Sequence, residues 1–349
     1  MELTRRGFIA GAGVMASGMV CGAHAYSDRL RGSLRSGDTG DRAQPNAREK
    51  TSVASHDPNL LAFLSDIHLL DNTVQWNDGP VQSSVVLPQL VSEILALCPL
   101  PANAVVFGDF SASCGWEEDF RLAAACLKPL SDAGIVLSFA MGNHDNRASF
   151  LKVFPDYKTR LLLPERIVSK VSTPNADIIL LDTLKSRPGR EWAEPDKDGN
   201  LVEGTMDGAQ REWLRDALAA ATRPTFVGAH HRAQEPGIVK EVVNASNVYG
   251  YIFGHEHVVA EGFLHDGYAN SRTVQTATLP SGGYWGDIGY ALFRTFEDRA
   301  ELTFRQTDFY FNRLWQDRPR PKNWRERVKM HDGRTVTFWY DKPEDFYRN

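Results

Sequence analysis

Nine side chains suited to metal binding or proton transfer fall into five clusters: Asp66 with His68, Asp109, Asn143 with His144 and Asp145, His230, and His255 with His257. Mixed oxygen and nitrogen donors of this kind admit iron, manganese or zinc, with geometry and supply choosing among them. Together they describe a two-metal hydrolytic site, and the chemistry such a site supports is attack by an activated water on phosphorus. No serine or cysteine nucleophile is needed, so no covalent intermediate is expected.

The clusters differ in how much each says alone. Asp66 and His68 lie two apart after an apolar run, and on an extended segment such residues point the same way and can grip one cation. In isolation the triplet reads as well as a turn residue beside a surface histidine, and Gly108-Asp109 reads as a tight turn. Gly142-Asn143-His144-Asp145 is more specific, since a neutral oxygen, an imidazole and a carboxylate occupy consecutive positions. Gly254-His255-Glu256-His257 sets two imidazoles on one side. All the clusters follow strand-like runs, and that shared context makes coincidence a poor account of them.

The elements that must deliver these residues are legible as patterns. Apolar runs at 60–65, 104–107, 135–140, 178–181, 225–229 and 248–253 are of buried-strand type. Residues 85–97, 116–130 and 210–220 space apolar positions by three and four, as helices with one face for a sheet do. The alternation indicates an α/β layer architecture. Beyond His257, runs at 258–264, 273–278, 290–296 and 301–305 read as strands of a second sheet, and a short strand-like stretch at 335–340 lies in the tail.

The order Asp-x-His, Gly-Asp, Gly-Asn-His-Asp, His, Gly-His-x-His between Asp66 and His257 resembles the calcineurin-like metallophosphoesterase superfamily. The resemblance implies a two-sheet β-sandwich flanked by α-helices, an αββα arrangement. It also implies two divalent or trivalent ions, with Asp66, His68 and His257 holding one, Asn143, His230 and His255 the other, and Asp109 bridging both. By the same likeness His144 meets the phosphate and protonates the leaving oxygen, and Asp145 orients its ring. His230-His231-Arg232 is similar to the family's His-His-Pro segment except for Arg232; His230 is the preferred ligand and His231 the alternative. Ala112 stands where purple acid phosphatases carry a metal-binding tyrosine, so a purple tyrosinate centre is not expected.

Arg147 and Arg232 neighbour the ligands and are candidates for a phosphate clamp, or for ordinary ion pairs. Tyr284 and Trp285, in a Gly-rich loop, either line a substrate pocket or simply pack. The texture around Asp109 and 115–120 looks similar to cyclic-nucleotide and glycerophosphodiester phosphodiesterases of the superfamily. A small phosphate ester, monoester or diester, is the expected substrate. A nuclease using the same site is the alternative enzyme, and a metal-dependent binding protein without turnover the alternative class.

A net charge of -5 supplies no basic field for wrapping nucleic acid, and neither a stable nucleic-acid partner nor a membrane partner is expected. Thr4-Arg5-Arg6-Gly7-Phe8-Ile9, the weakly apolar run after it and Ala23-His24-Ala25 resemble a bacterial twin-arginine export signal. That implies the twin-arginine translocation machinery as a partner and a periplasmic or secreted destination. The expected organisation is a signal at 1–25, a polar linker at 26–57, the phosphoesterase domain at 58–310 and a C-terminal extension at 311–349. Without the signal, Cys98, Cys114 and Cys126 remain; an odd number implies no disulfide framework, and apolar packing is expected for Cys98 and Cys126.

Overall fold

Strands whose two faces are both buried cannot alternate apolar with polar, and the site-bearing strands show why their sequences are continuous apolar runs. The computed structural model describes residues 55–69, 83–112, 115–185, 204–268, 272–283, 286–307 and 329–340. The expected export signal and most of the linker, with Cys114, Tyr284 and Trp285, lie outside those residues. The strands are β1 His56–Leu64, β2 Leu100–Phe107, β3 Val136–Ala140, β4 Ser169–Ser172, β5 Asp177–Leu180, β6 Thr225–Ala229, β7 Val248–Phe253, β8 Ala260–Leu264, β9 Val274–Thr278, β10 Gly289–Thr295, β11 Arg299–Gln306 and β12 Thr335–Trp339. The helices are α1 Ser83–Leu95, α2 Glu117–Asp132, α3 Arg147–Val153, α4 Gly208–Ala220 and α5 Val239–Asn244.

Two six-stranded sheets result, in the orders β12-β11-β10-β1-β2-β3 and β4-β5-β6-β7-β9-β8. Along β1, Leu61 and Phe63 face the other sheet, joining Phe107, Phe226, Phe293 and Phe338, while Ala62 and Leu64 face the helices with Val86, Leu90 and Phe120. A third cluster packs α4 and α5 on the outer face of the second sheet, through Leu214, Leu218, Val242 and Val243 against Val227 and Tyr251. The result is the expected αββα layering. Phe226 shows what holds the sandwich closed: from the second sheet its ring meets Phe293 edge-on at 4.9 Å and Phe338 edge-on at 5.3 Å on the first. Full burial of such a side chain contributes roughly 1.5–3 kcal/mol.

The strands after His257 do not make a sheet of their own, contrary to the expectation. β8 and β9 complete the second sheet, whereas β10, β11 and β12 complete the first, with β10 antiparallel to β1. Which sheet a strand joins depends on the partner edge left open, and strand patterns carry no record of that edge. The first sheet also reaches past residues 58–310, starting at His56 and ending on β12, whose Val336 and Phe338 are fully buried between the sheets. Cys126 is half-buried as expected for packing, but Cys98 is exposed, since it follows the end of α1 and precedes Pro99 outside the helical stripe.

Parallel pairing decides where the ligands arrive. β1, β2 and β3 run parallel to one another, as do β5, β6, β7 and β9, so each group presents its carboxyl ends together. In open α/β sheets that edge is where ligands bind. α3 begins directly after the third cluster, its first turn capped by Asn146, whose side chain accepts from the Ser149 amide at 3.0 Å.

Candidate metal centre

Five strands of the carboxyl edge each hand over a cluster within a few residues of their ends. β1 leads to Asp66 and His68, β2 to Asp109, β3 to Asn143 and His144, β6 to His230, and β7 to His255 and His257. The chain turns sharply at these points. Asp66, His68, Asp109, His255 and His257 all have φ between 42° and 68°; of the six non-glycine residues with positive φ among the described residues, only Glu165 lies elsewhere. Each such conformation costs roughly 1–3 kcal/mol and persists only where surrounding contacts enforce it. Main-chain bonds do so here: the amides of Asp66 and His68 donate to the carbonyls of Gly108 and Asp109 at 3.1 and 2.9 Å, and the Gly254 amide to His230 at 3.0 Å. Gly142 permits a close approach, because a Cβ there would stand 2.2 Å from Asp109 Oδ1.

Two groups of donor atoms converge. In the first, His68 Nε2 is 3.0 Å from His257 Nε2 and 3.5 Å from Asp109 Oδ2, and His257 Nε2 is 3.3 Å from Asp66 Oδ1. In the second, His230 Nε2 lies 3.1 Å from Asn143 Oδ1, 3.2 Å from His255 Nδ1 and 3.2 Å from Asp109 Oδ2. The same Asp109 oxygen therefore faces both groups. A cation with bonds of about 2.1 Å spaces its donors about 3.0–3.4 Å apart, so both groups fit one. His230 Nδ1 donates to the Phe107 carbonyl at 2.7 Å and His68 Nδ1 to the Ser111 carbonyl at 3.2 Å. A carbonyl can only accept, so Nδ1 carries a proton in each ring and Nε2 is the nitrogen turned to the site.

The electrostatics agree with that fit. Asp66, Asp109 and Asp145 are buried side by side. Burial pushes Asp66 up to about 7 against the pull of His230, with Asp109 adding to the rise, and burial followed by Asp109 does the same to Asp145. Burial opposes charge on Asp109 too, yet His230 and His144 hold it well below the usual carboxylate range. In return, Asp109 overcomes burial to raise His230 to about 10. Burial drives His68 down, and burial with the His230 charge brings His255 to about 4. Protein groups thus answer three buried carboxylates with one imidazolium, and the donors converge where cations would supply the rest.

The calcineurin-like phosphoesterase profile matches residues 60–259. The chain belongs to that family. It is a metal-dependent phosphoester hydrolase. Among solved structures it is similar to a dimetal phosphatase from Danio rerio, at 14% identity and a TM-score of 0.56, over 82% of this chain and 100% of that one. A structure described as PhoD is 14% identical with a TM-score of 0.49, over 73% of this chain and 67% of that one. No curated protein matches the chain.

All nine predicted residues of this phosphoesterase meet at one edge, but not all in the expected manner. His144 stands at the rim, half-buried, its ring edge-on to His68 at 5.0 Å, with its amide donating to Asp109 Oδ1 at 2.9 Å. Asp145 does not orient that ring. Its Oδ2 accepts from the amides of Asp109 and Gly142 at 2.9 and 2.8 Å, and its Oδ1 from Phe110 and Ser111 at 2.8 and 3.4 Å. Both oxygens are spent on lashing the β2 loop to the β3 loop. Arg147 is not a phosphate clamp either: its guanidinium grips Asp182 through two bonds of 2.6 and 2.7 Å and the Leu184 carbonyl at 2.6 Å. Arg232, on the rim, pairs with Glu256 at 3.0 Å and faces Glu235 at 3.6 Å. Sequence reasoning missed Ser65, whose hydroxyl donates to Asp66 Oδ2 at 2.6 Å; a lone serine before a ligand carries no signal of that role.

Proposed function

We propose that this phosphoesterase uses two cations, one held by Asp66, His68 and His257, the other by Asn143, His230 and His255, with Asp109 shared, to hydrolyse a small phosphodiester. The observation that carries the two-ion reading is Asp109 Oδ2, 3.5 Å from His68 Nε2 and 3.2 Å from His230 Nε2. When bound, such ions activate water and offset charge developing on the phosphoryl oxygens. Asp109 sets the separation between the two groups. His144, at the rim beside His68 and Asp109, protonates the departing oxygen. Asp145 holds Asp109 and Asn143 in register through four amides, and Ser65 fixes the rotamer of Asp66.

The preference for a diester rests on charge. A monoester brings a second negative charge that a guanidinium fork answers well. Both arginines near the site are engaged by carboxylates, Arg147 by Asp182 and Arg232 by Glu256. A singly charged diester makes the smaller demand. The test compares bis(4-nitrophenyl) phosphate with 4-nitrophenyl phosphate on metal-loaded protein: kcat/KM at least about tenfold higher for the diester is expected, about 1.4 kcal/mol in transition-state terms. Equal or reversed values refute the diester reading. As to location, we propose that the Arg5-Arg6 signal exports the folded, loaded protein by the twin-arginine route to the periplasm or beyond. Retention in the cytoplasm when both arginines become lysine is the expected outcome, and unimpaired export counts against it.

A further inference from the structure

Two buried histidines of the carboxyl edge share one wiring, and a third shares half of it. His68 and His230 each tie Nδ1 to a neighbouring oxygen and turn Nε2 toward the donors of a metal group. His231 repeats the first half of this pattern. It is fully buried, and its Nδ1 lies 2.7 Å from the Thr183 hydroxyl, while its Nε2 is buried with no hydrogen-bond partner among the described residues. Its ring lies against the two imidazoles of the second group, 4.7 Å from His230 and 4.8 Å from His255. Nitrogens of His230, His231 and His255, one from each, lie within 4.8 Å of one another.

An unpartnered buried imidazole nitrogen is costly, about 1–3 kcal/mol, unless something engages it. Thr183 cannot relieve both nitrogens. A threonine hydroxyl can accept from Nδ1–H, which leaves the Nε2 lone pair, or donate to Nδ1, which leaves a buried Nε2–H. Gly204 keeps the ring in place from behind, since a Cβ there would stand 2.6 Å from His231 Cβ and Cγ. The backbone is pinned as well, the Tyr251 hydroxyl donating to the His231 carbonyl at 2.7 Å.

We propose that His231 is a third imidazole donor to the second cation, through Nε2, with Thr183 setting its tautomer by accepting from Nδ1–H. The inference rests on the two-ion reading above and adds a consequence to it. The second site becomes nitrogen-rich, with His230, His231, His255, the Asn143 oxygen and shared Asp109. The first keeps two imidazoles and two carboxylates. Imidazole favours zinc, iron or nickel over manganese, so the two positions differ in metal preference and a mixed pair is the expected resting composition.

The test counts ions by elemental analysis on the full-length chain, dialysed against buffered free zinc, and records the absorption of the cobalt-substituted protein. His231→Phe keeps a ring in the packing and removes both nitrogens; Thr183→Val keeps His231 and removes the tautomer-setting oxygen. The wild type is expected to hold two zinc ions. In His231→Phe the weaker ion should be lost, with its Kd raised at least about tenfold, and the cobalt d–d bands should shift and lose intensity. Thr183→Val should weaken the same ion about tenfold, in line with losses at outer-shell partners of metal-bound histidines. Competition with excess manganese should displace zinc from that position in His231→Phe and not in the wild type. Two ions of unchanged affinity and an unchanged cobalt spectrum in a folded His231→Phe overturn the inference alone, even with KM raised, because that combination makes His231 a substrate contact. A wild-type chain that holds a single ion removes the two-ion reading and this inference together.

Discussion

Asp145→Asn separates two roles that the residue's position in Gly-Asn-His-Asp leaves confounded. Asparagine matches aspartate in shape but offers one oxygen instead of two. Asp145 uses Oδ2 for the Asp109 and Gly142 amides and Oδ1 for Phe110 and Ser111. Whichever way the amide is turned, one pair of buried N–H groups faces an NH2 group and loses its acceptor. At about 1–3 kcal/mol for each, the loss is about 2–6 kcal/mol. For a chain of this size that corresponds to a fall in Tm of about 3–10 °C. Either pair includes amides of the β2 loop that carries Asp109, so the separation of the two donor groups relaxes and bound metal falls in the same sample. Scanning calorimetry of metal-loaded wild type and variant, with elemental analysis, measures both. Had Asp145 oriented His144, the variant would keep its Tm and metal content while kcat dropped and its pH profile moved. That result refutes the lashing role argued here.

Asp109→Asn weakens the donor shared by both groups, and it is expected to reduce bound metal from two ions to one or none and kcat by at least about a hundredfold, with loss of the ~2–4 kcal/mol that one charge-stabilising contact supplies; retained turnover with two ions would remove the bridge. Metal binding should release protons near pH 7, because Asp66 sits at about 7 and His230 at about 10 and both must be deprotonated to ligate. Affinity therefore rises as pH is raised through this range, and calorimetry in buffers of different ionisation enthalpy should show it; a buffer-independent heat contradicts it. Phe338→Ala empties a ring position that is fully buried between the sheets and should cost about 3–5 kcal/mol, seen in denaturant unfolding, although Phe338 lies beyond the expected domain boundary at 310. A loss below ~1 kcal/mol would show that β12 is an appendage.

The folded site was legible to an unequal degree. The strands preceding the clusters could be read because burial on both faces writes a continuous apolar run, as at 225–229 and 248–253, and β6 and β7 occupy those residues. α3 was missed: its seven residues are too few to display a helical stripe, and it is started by a cap and by Phe150 packing, not by periodicity. The roles expected of Arg147 and Asp145 failed for a common reason. A charged group beside a ligand looks functional in one dimension, and its partner, Asp182 or the amides of the adjacent loop, is visible only in three.

The chain by itself determined which atoms are on offer: carboxylate, imidazole and amide donors at the ends of apolar strands, in an order that chance does not readily produce. That much is local, because a continuous apolar run marks a buried strand and glycine beside its end lets the backbone turn. Tertiary structure alone decided the use of those atoms. The Phe107 carbonyl selects the tautomer of His230, packing of the two sheets brings Asp109 Oδ2 between two donor groups that each draw on both sheets, and packing holds five site residues at positive φ. These are contacts between segments far apart in the chain, whose distances and directions are set by the closing of the sandwich core.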